Sequence, residues 1–226
     1  MADNRTTNNS ALSVIGDTGV IAILRGTDFD ELMDTAEALY AGGIRALEVT
    51  FNTAGAKDMI QQIASHYRDR LHVGAGTVLN RACALQAIGA GAEFVLAPNT
   101  DLDVIAAVKE YGRVMIPGAL TPTEVLRCHD AGVEAIKVFP AGSVGPKYIR
   151  DLLGPYNGLR LLPVGGVDLR NAGAFIKAGA FALGVGGSLV RSDLVSKKDF
   201  RGLTTLAGEF LQAVREARGV ETTAKA

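Results

Sequence analysis

Short apolar runs recur along the chain with room for a helix between each pair. They are Val20–Leu24, Ala46–Thr50, His72–Ala75, Phe94–Ala97, Val114–Pro117, Ala135–Phe139, Leu159–Pro163 and Ala182–Val185. Each is about strand length, and several are continuously apolar, as strands covered on both faces are. The segments between them carry helical spacing. Leu32, Ala36, Leu39 and Tyr40 make one apolar stripe with Asp34 and Glu37 off it, and Leu102, Ile105, Ala106 and Lys109 make a weaker one. Strands alternating with helices predict βαβ units and parallel pairing. The dipeptide Ala-Gly precedes the second, fourth, sixth and eighth runs. Its glycines, Gly42, Gly91, Gly132 and Gly179, are spaced by 49, 41 and 47 residues. Glycine there suits a helix C-terminus that needs positive φ, and the period matches a two-strand, two-helix quarter of a barrel. The pattern predicts a single α/β domain over residues 13–216, a (β/α)8 TIM barrel, with loose polar ends at 1–12 and 217–226. An open doubly wound sheet is the competing architecture, and it does not account for the fourfold echo.

Composition narrows the function classes. The 226 residues suit one domain, 48% are apolar, and the formal net charge is −1. A near-neutral chain has no electrostatic footprint for nucleic acid or an anionic membrane, which points to a small-molecule partner. The first dozen residues lack the apolar segment of a signal peptide, and no apolar run is long enough to span a bilayer. The expected location is therefore the cytoplasm. Cys83 and Cys128 form no C-x-x-C and read as free thiols. His66, His72 and His129 lack metal-ligand spacing, so no metal is expected. No G-x-G-x-x-G and no G-x-S-x-G occurs, so neither a nicotinamide cofactor nor a serine triad is implied, and no cofactor is expected.

In a barrel of this kind the chemistry sits at the C-terminal ends of the strands. Lys137 stands in the apolar run AIKVFPA. Burial disfavours its charged form, and the neutral amine is what attacks a carbonyl; otherwise its head group reaches solvent or an ion pair. Glu48, inside ALEVT, is placed at a comparable height and suits general acid and base work, or an ion pair with Lys137 or Arg25. Arg25 ends the first run and suits a carboxylate or phosphate, or a salt bridge at the mouth. Thr77 adds a hydroxyl among glycines that let backbone N–H groups approach an anion. Gly165-Gly166 follows the seventh run and Gly186-Gly187-Ser188 the eighth. These are the loops where this fold binds phosphate.

The sequence resembles the 2-keto-3-deoxy-6-phosphogluconate (KDPG) and 4-hydroxy-2-oxoglutarate (KHG) aldolases over about residues 14–215. The carriers are AILRG at 22–26, GGIRALEVT at 42–50, VGAGTVLN at 73–80, APN at 97–99, IPGALTPTE at 116–124, IKVFPA at 136–141, PVGGV at 163–167 and GVGGS at 184–188. The resemblance implies a metal-free class I aldolase on a TIM barrel, assembled as a homotrimer. It implies Lys137 as Schiff-base lysine, Glu48 as general acid and base, and Thr77 at the pyruvate end. Pro98 and Phe139 then line the pocket, and Gly165, Gly166, Gly186, Gly187 and Ser188 hold phosphate. Family members with phosphogluconate activity carry an arginine in T-x-R-T after the glutamate; here that position is Asn52. An amide cannot replace a guanidinium as a carboxylate clamp, so Arg25 is expected to take that part, and the pattern does not choose between C4 epimers.

The expected reaction is cleavage of KDPG or a stereoisomer to pyruvate and glyceraldehyde 3-phosphate. The alternatives are cleavage of 4-hydroxy-2-oxoglutarate to pyruvate and glyoxylate, a phosphate-binding barrel isomerase or phosphosugar synthase, and a barrel that binds metabolites without turnover.

Overall fold

The computed structural model describes residues 4–156 and 158–219. In chain order the elements are α1 (Asn4–Thr18), β1 (Val20–Leu24), α2 (Phe29–Ala41), β2 (Ala46–Thr50), α3 (Ala56–Tyr67), β3 (His72–Gly76), α4 (Arg81–Gly89), β4 (Phe94–Leu96), α5 (Leu102–Glu110), β5 (Val114–Ile116), β6 (Gly118–Ala119), α6 (Pro122–Asp130), β7 (Ile136–Val138), α7 (Gly145–Leu153), β8 (Leu161–Pro163), α8 (Leu169–Lys177), β9 (Leu183–Val185), α9 (Ser192–Ser196) and α10 (Phe200–Ala217). Single 3-10 turns lie at Arg68–Arg70 and Ala141–Ser143.

All eight apolar runs contain a strand, and every strand pair is parallel. The α/β class and the parallel pairing are as expected. The fifth run differs in detail. Pro117 has no N–H to give to a ladder, and it ends β5; a further short strand, β6, follows directly beyond the run. β5 pairs with β4 on one side of this break, and β6 pairs with β7 on the other. The strands therefore form a six-stranded sheet, β5-β4-β3-β2-β1-β9, and a three-stranded sheet, β6-β7-β8. A bridge between Val164 and Gly184 joins them at the other seam.

Three of the Ala-Gly dipeptides behave as predicted. Ala90, Ala131 and Ala178 cap their helices, and Gly91, Gly132 and Gly179 follow with φ of 104°, 69° and 103°. At the first repeat the positive φ moves one residue on, to Gly43 at 97°, while Gly42 is right-handed at −74°. Gly42 is small for a different reason: a Cβ there would lie 2.6 Å from Thr204 O and from the Ala207 Cβ on α10.

The apolar residues fall into two layers. Leu47, Val49, Val73, Ala75, Ile136 and Val138 face the helices. Ile21, Ile23, Ala46, Phe94, Leu96, Val114, Ile116, Ala135, Leu162, Val164 and Ala182 fill the interior that the curled sheets enclose. Phe94 is wholly buried there, and burying such a ring contributes about 1.5–3 kcal/mol. Its ring occupies the space above Gly74, where a Cβ would lie 2.2 Å away.

Helix α1 covers much of the 1–12 stretch that the sequence reads as loose. Its Ala11 and Ile15 are buried in the interior cluster, closing the end where the strands begin. Of the expected C-terminal tail, residues 220–226 lie outside the described residues.

Candidate active site

Alternation along the strands decides which side chains reach the interior. On β2, Leu47 and Val49 face the helices, so Glu48 points inward with Ala46. On β7, Ile136 and Val138 face the helices, so Lys137 points inward with Ala135. Glu48 is 0% exposed and Lys137 1%, which places two opposite charges in one apolar chamber.

Neither Glu48 carboxylate oxygen has a hydrogen-bond partner among the described residues. Burial pushes its pKa up, and the charges of Lys137 and Arg25 pull against that. Burial likewise pushes the Lys137 amine down; Glu48 opposes this, and Arg25 adds to it. Each group is thus moved toward its neutral form, chiefly by loss of water. The ion-pair alternative for Glu48 acts through space and not through contact. Lys137 Nζ lies 5.2 Å from the centroid of the Phe139 ring, which screens one side of it.

A cleft of about 270 Å³ has Phe139, the ring that flanks the Lys137 amine, in its wall; Lys137 and Glu48 themselves do not line it. It is lined by Ile23, Arg25, Phe139, Val164, Gly165, Gly166, Val167, Gly184, Gly186, Gly187 and Ser188. The structure therefore brings together Arg25, Phe139 and both glycine loops. Gly165 and Gly166 have φ of 84° and 78°. A Cβ on Gly165 would lie 3.0 Å from the Phe139 ring, and one on Gly166 2.8 Å from Gly142 Cα. The Gly165-Gly166 loop is laced to the turn after β7 by the Gly142 N–H donating to Gly165 O at 2.7 Å. The N–H groups of Gly166, Gly187 and Ser188 donate to no protein acceptor among the described residues, and such groups suit an anion. The first turn of α8 is different: Asp168 accepts from the N–H of Arg170 and Asn171 and forms an ion pair with Arg170.

Thr77 and Pro98 are half-buried at the ends of β3 and β4 and do not line this cleft. Thr77 has φ of 57°, unusual for a β-branched residue and of the kind that gathers at functional sites. Pro98 sits against Gly118, where a Cβ would lie 2.3 Å from the Pro98 carbonyl.

Three positions escape a reading of residue types. A Cβ on Gly76 would fall 1.6 Å from Glu48 Oε1. Thr50 and Thr53 are buried and hydrogen-bond the backbone on either side of Arg25. A signal was present: Thr50 and Thr53 are the two threonines of the T-x-R-T position that Asn52 interrupts, and Gly76 lies within VGAGTVLN.

The family described as "KDPG and KHG aldolase" matches residues 12–206. A 2-dehydro-3-deoxy-phosphogluconate aldolase of Treponema pallidum is 36% identical over 197 residues, which is 86% of this chain and 93% of that protein. A solved structure described as native KDPGal is 32% identical with a TM-score of 0.83, covering 88% of this chain and 96% of the other. A KDPG aldolase of Legionella pneumophila, with pyruvate captured at low pH as a covalent carbinolamine, is 25% identical with a TM-score of 0.79, covering 90% and 97%.

Proposed function

The chain belongs to the KDPG and KHG aldolase family, and from that premise we propose that it is a class I aldolase cleaving KDPG or a stereoisomer through an imine on Lys137. The observation that carries the assignment is the placement of Lys137 in a chamber that lowers its pKa, facing the interior it shares with Glu48.

Neutral Lys137 adds to the C2 ketone of the substrate, and loss of water gives an iminium. The iminium accepts the electron pair of the C3–C4 bond as that bond breaks. Glu48, directly or through a water, takes the C4 hydroxyl proton, so the aldehyde leaves and a pyruvate enamine remains. Protonation at C3 and hydrolysis release pyruvate and restore the amine. Arg25 holds the substrate carboxylate, with Thr77 and Pro98 flanking the pyruvate end and Phe139 walling the lysine. Gly165, Gly166, Gly186, Gly187 and Ser188 take the phosphate on backbone N–H groups, so remote binding positions the reacting carbons.

The wider reading has the same footing. The break at Pro117 and the Val164–Gly184 bridge support one eight-stranded barrel with two weak seams. The family match supports one domain over about residues 13–216. Exposed Leu102 and Leu126 on α5 and α6 support a self-association face, and light scattering is expected to report a trimer.

Cleavage of 4-hydroxy-2-oxoglutarate to pyruvate and glyoxylate is a second reading. It is favoured by the fact that, among the described residues, Arg25 is the one cationic side chain lining the cleft. Rates on the phosphorylated and unphosphorylated substrates separate the two.

Borohydride trapping with pyruvate, read by intact mass and peptide mapping, tests the imine. An adduct on Lys137 that is lost in Lys137→Ala is the expected result. A folded protein that binds pyruvate without forming the adduct overturns the assignment.

A further inference from the structure

We propose that Thr50 and Thr53 are positioning residues for Arg25, joined in a hydroxyl relay that fixes the backbone on both sides of it. The inference rests on the reading of Arg25 as carboxylate clamp and deepens it.

The Arg25 guanidinium is exposed at the cleft and has no hydrogen bond or ion pair among the described residues. Nothing holds its long side chain from the far end, so its reach depends on where its backbone starts. The β1–β2 register ends at Leu24 opposite Val49. Beyond that point the two backbones part, and side chains take over the pairing. The Gly26 N–H donates to Thr53 Oγ1 at 3.0 Å. Thr50 Oγ1 donates to Leu24 O at 3.3 Å, and the two hydroxyls lie 3.0 Å apart.

Each hydroxyl has one proton, so the directions are forced. The Thr50 proton lies toward Leu24 O, and the Thr53 proton must therefore lie toward Thr50. The chain runs one way, from the N–H after Arg25 to the carbonyl before it, and bonds aligned in this manner polarise one another. Both threonines are buried, so water does not substitute for a lost member. The Thr53 N–H also donates to Thr50 O at 2.9 Å, which holds the relay in one turn. Gly26 has φ of 65°, and a Cβ there would meet nothing within 4 Å. That glycine serves the change of chain direction and not close packing.

The arrangement has a readout beyond stability. The Arg25 charge lowers the proton affinity of Lys137 and of Glu48. A displaced Arg25 weakens carboxylate binding and also shifts the pH at which the lysine becomes reactive.

The test is borohydride trapping of pyruvate across pyruvate concentration and pH. The proteins are the wild type, Thr53→Val, Thr53→Ser, Arg25→Gln and the Thr53→Val, Arg25→Gln pair. Thr53→Val is expected to raise the half-saturating pyruvate concentration about tenfold and to move the pH midpoint upward. Thr53→Ser is expected to match the wild type. In the Arg25→Gln background Thr53→Val is expected to change neither quantity further. A Thr53→Val protein with a lowered melting temperature but wild-type half-saturation and midpoint overturns the proposal, as does a full Thr53→Val effect in the Arg25→Gln background. If Thr53→Val does not fold, Thr53→Ala is compared with Thr53→Ser, and equal behaviour of those two overturns it. No adduct in the wild type removes the imine reading and this proposal together. A wild-type adduct with indistinguishable variants removes only the relay.

Discussion

The Glu48 carboxylate occupies space that exists because residue 76 is glycine: a Cβ on Gly76 would lie 1.6 Å from Oε1 and 2.3 Å from Cδ. No hydrogen bond holds those oxygens, so the walls of the chamber set where the carboxylate rests. Gly76→Ala is therefore expected to expel the carboxylate. Overpacking of this kind costs about 1–3 kcal/mol of stability. Turnover is expected to fall by about two orders of magnitude, the lower end of what a positioned acid–base contributes. Pyruvate trapping on Lys137 should survive, because the lysine is untouched. Wild-type turnover in Gly76→Ala would show that the location of the carboxylate does not matter.

Glu48→Gln separates proton transfer from lysine activation. The Glu48 charge raises the Lys137 pKa, against the larger lowering by burial. Removing that charge lets the lysine pKa fall further, so the pH midpoint for trapping should move down. Turnover should meanwhile drop about 10²–10⁴-fold. A midpoint that moves up would contradict the electrostatics described for the chamber.

The buried pair should burden the fold most near neutral pH. The Lys137 pKa is lowered in the folded protein, so its contribution is most favourable above the unfolded value of 10.5 and is lost as pH falls through the folded pKa. The Glu48 pKa is raised, so its contribution is most favourable below 4.5 and is lost as pH rises through the folded pKa. Replacing both groups, as Lys137→Met with Glu48→Gln, is expected to add about 1–4 kcal/mol. That corresponds to about 2–4 °C in Tm per kcal/mol for a chain of this size. The gain should be largest near pH 7 and shrink toward both extremes. Thermal melts across pH test this, and a double variant less stable than wild type at pH 7 would count against it.

Gly187→Asp distinguishes the two substrates. A Cβ on Gly187 meets nothing within 4 Å, so the fold should tolerate the change. The new carboxylate repels a phosphate held on this loop, and Lys137 is not among the residues that line the cleft with Gly187. KM for the phosphorylated substrate is expected to rise more than about tenfold, a like-charge penalty of roughly 1.4 kcal/mol or more. KM for 4-hydroxy-2-oxoglutarate should stay within about twofold, as expected where a substitution removes no contact. Equal effects on both substrates would take the phosphate away from this loop.

Much of this architecture is legible in the sequence, because strands covered on both faces leave long apolar runs. Lys137 and Glu48 stand out because a charge inside such a run breaks the burial rule. Arg25 and the glycine clusters stand out because they come just after strands. The division at Pro117 is less visible, since proline is also common at the end of a strand, where the sequence reading put it. Gly42 illustrates a second limit: Gly43 supplies the turn, and Gly42 instead answers to α10, more than 150 residues away. The roles of Gly76, Thr50 and Thr53 depend in the same way on neighbours that only the parallel register brings close.

Ala11 and Ile15 of α1 seal the floor of the interior, while Arg25, Gly187 and Ser188 lie exposed at its opposite end. With that end closed, the open side of the interior is the one that carries the cation and the glycine loops. The small helix ahead of the first strand thereby gives the interior a direction: a stopper at one end leaves a mouth at the other.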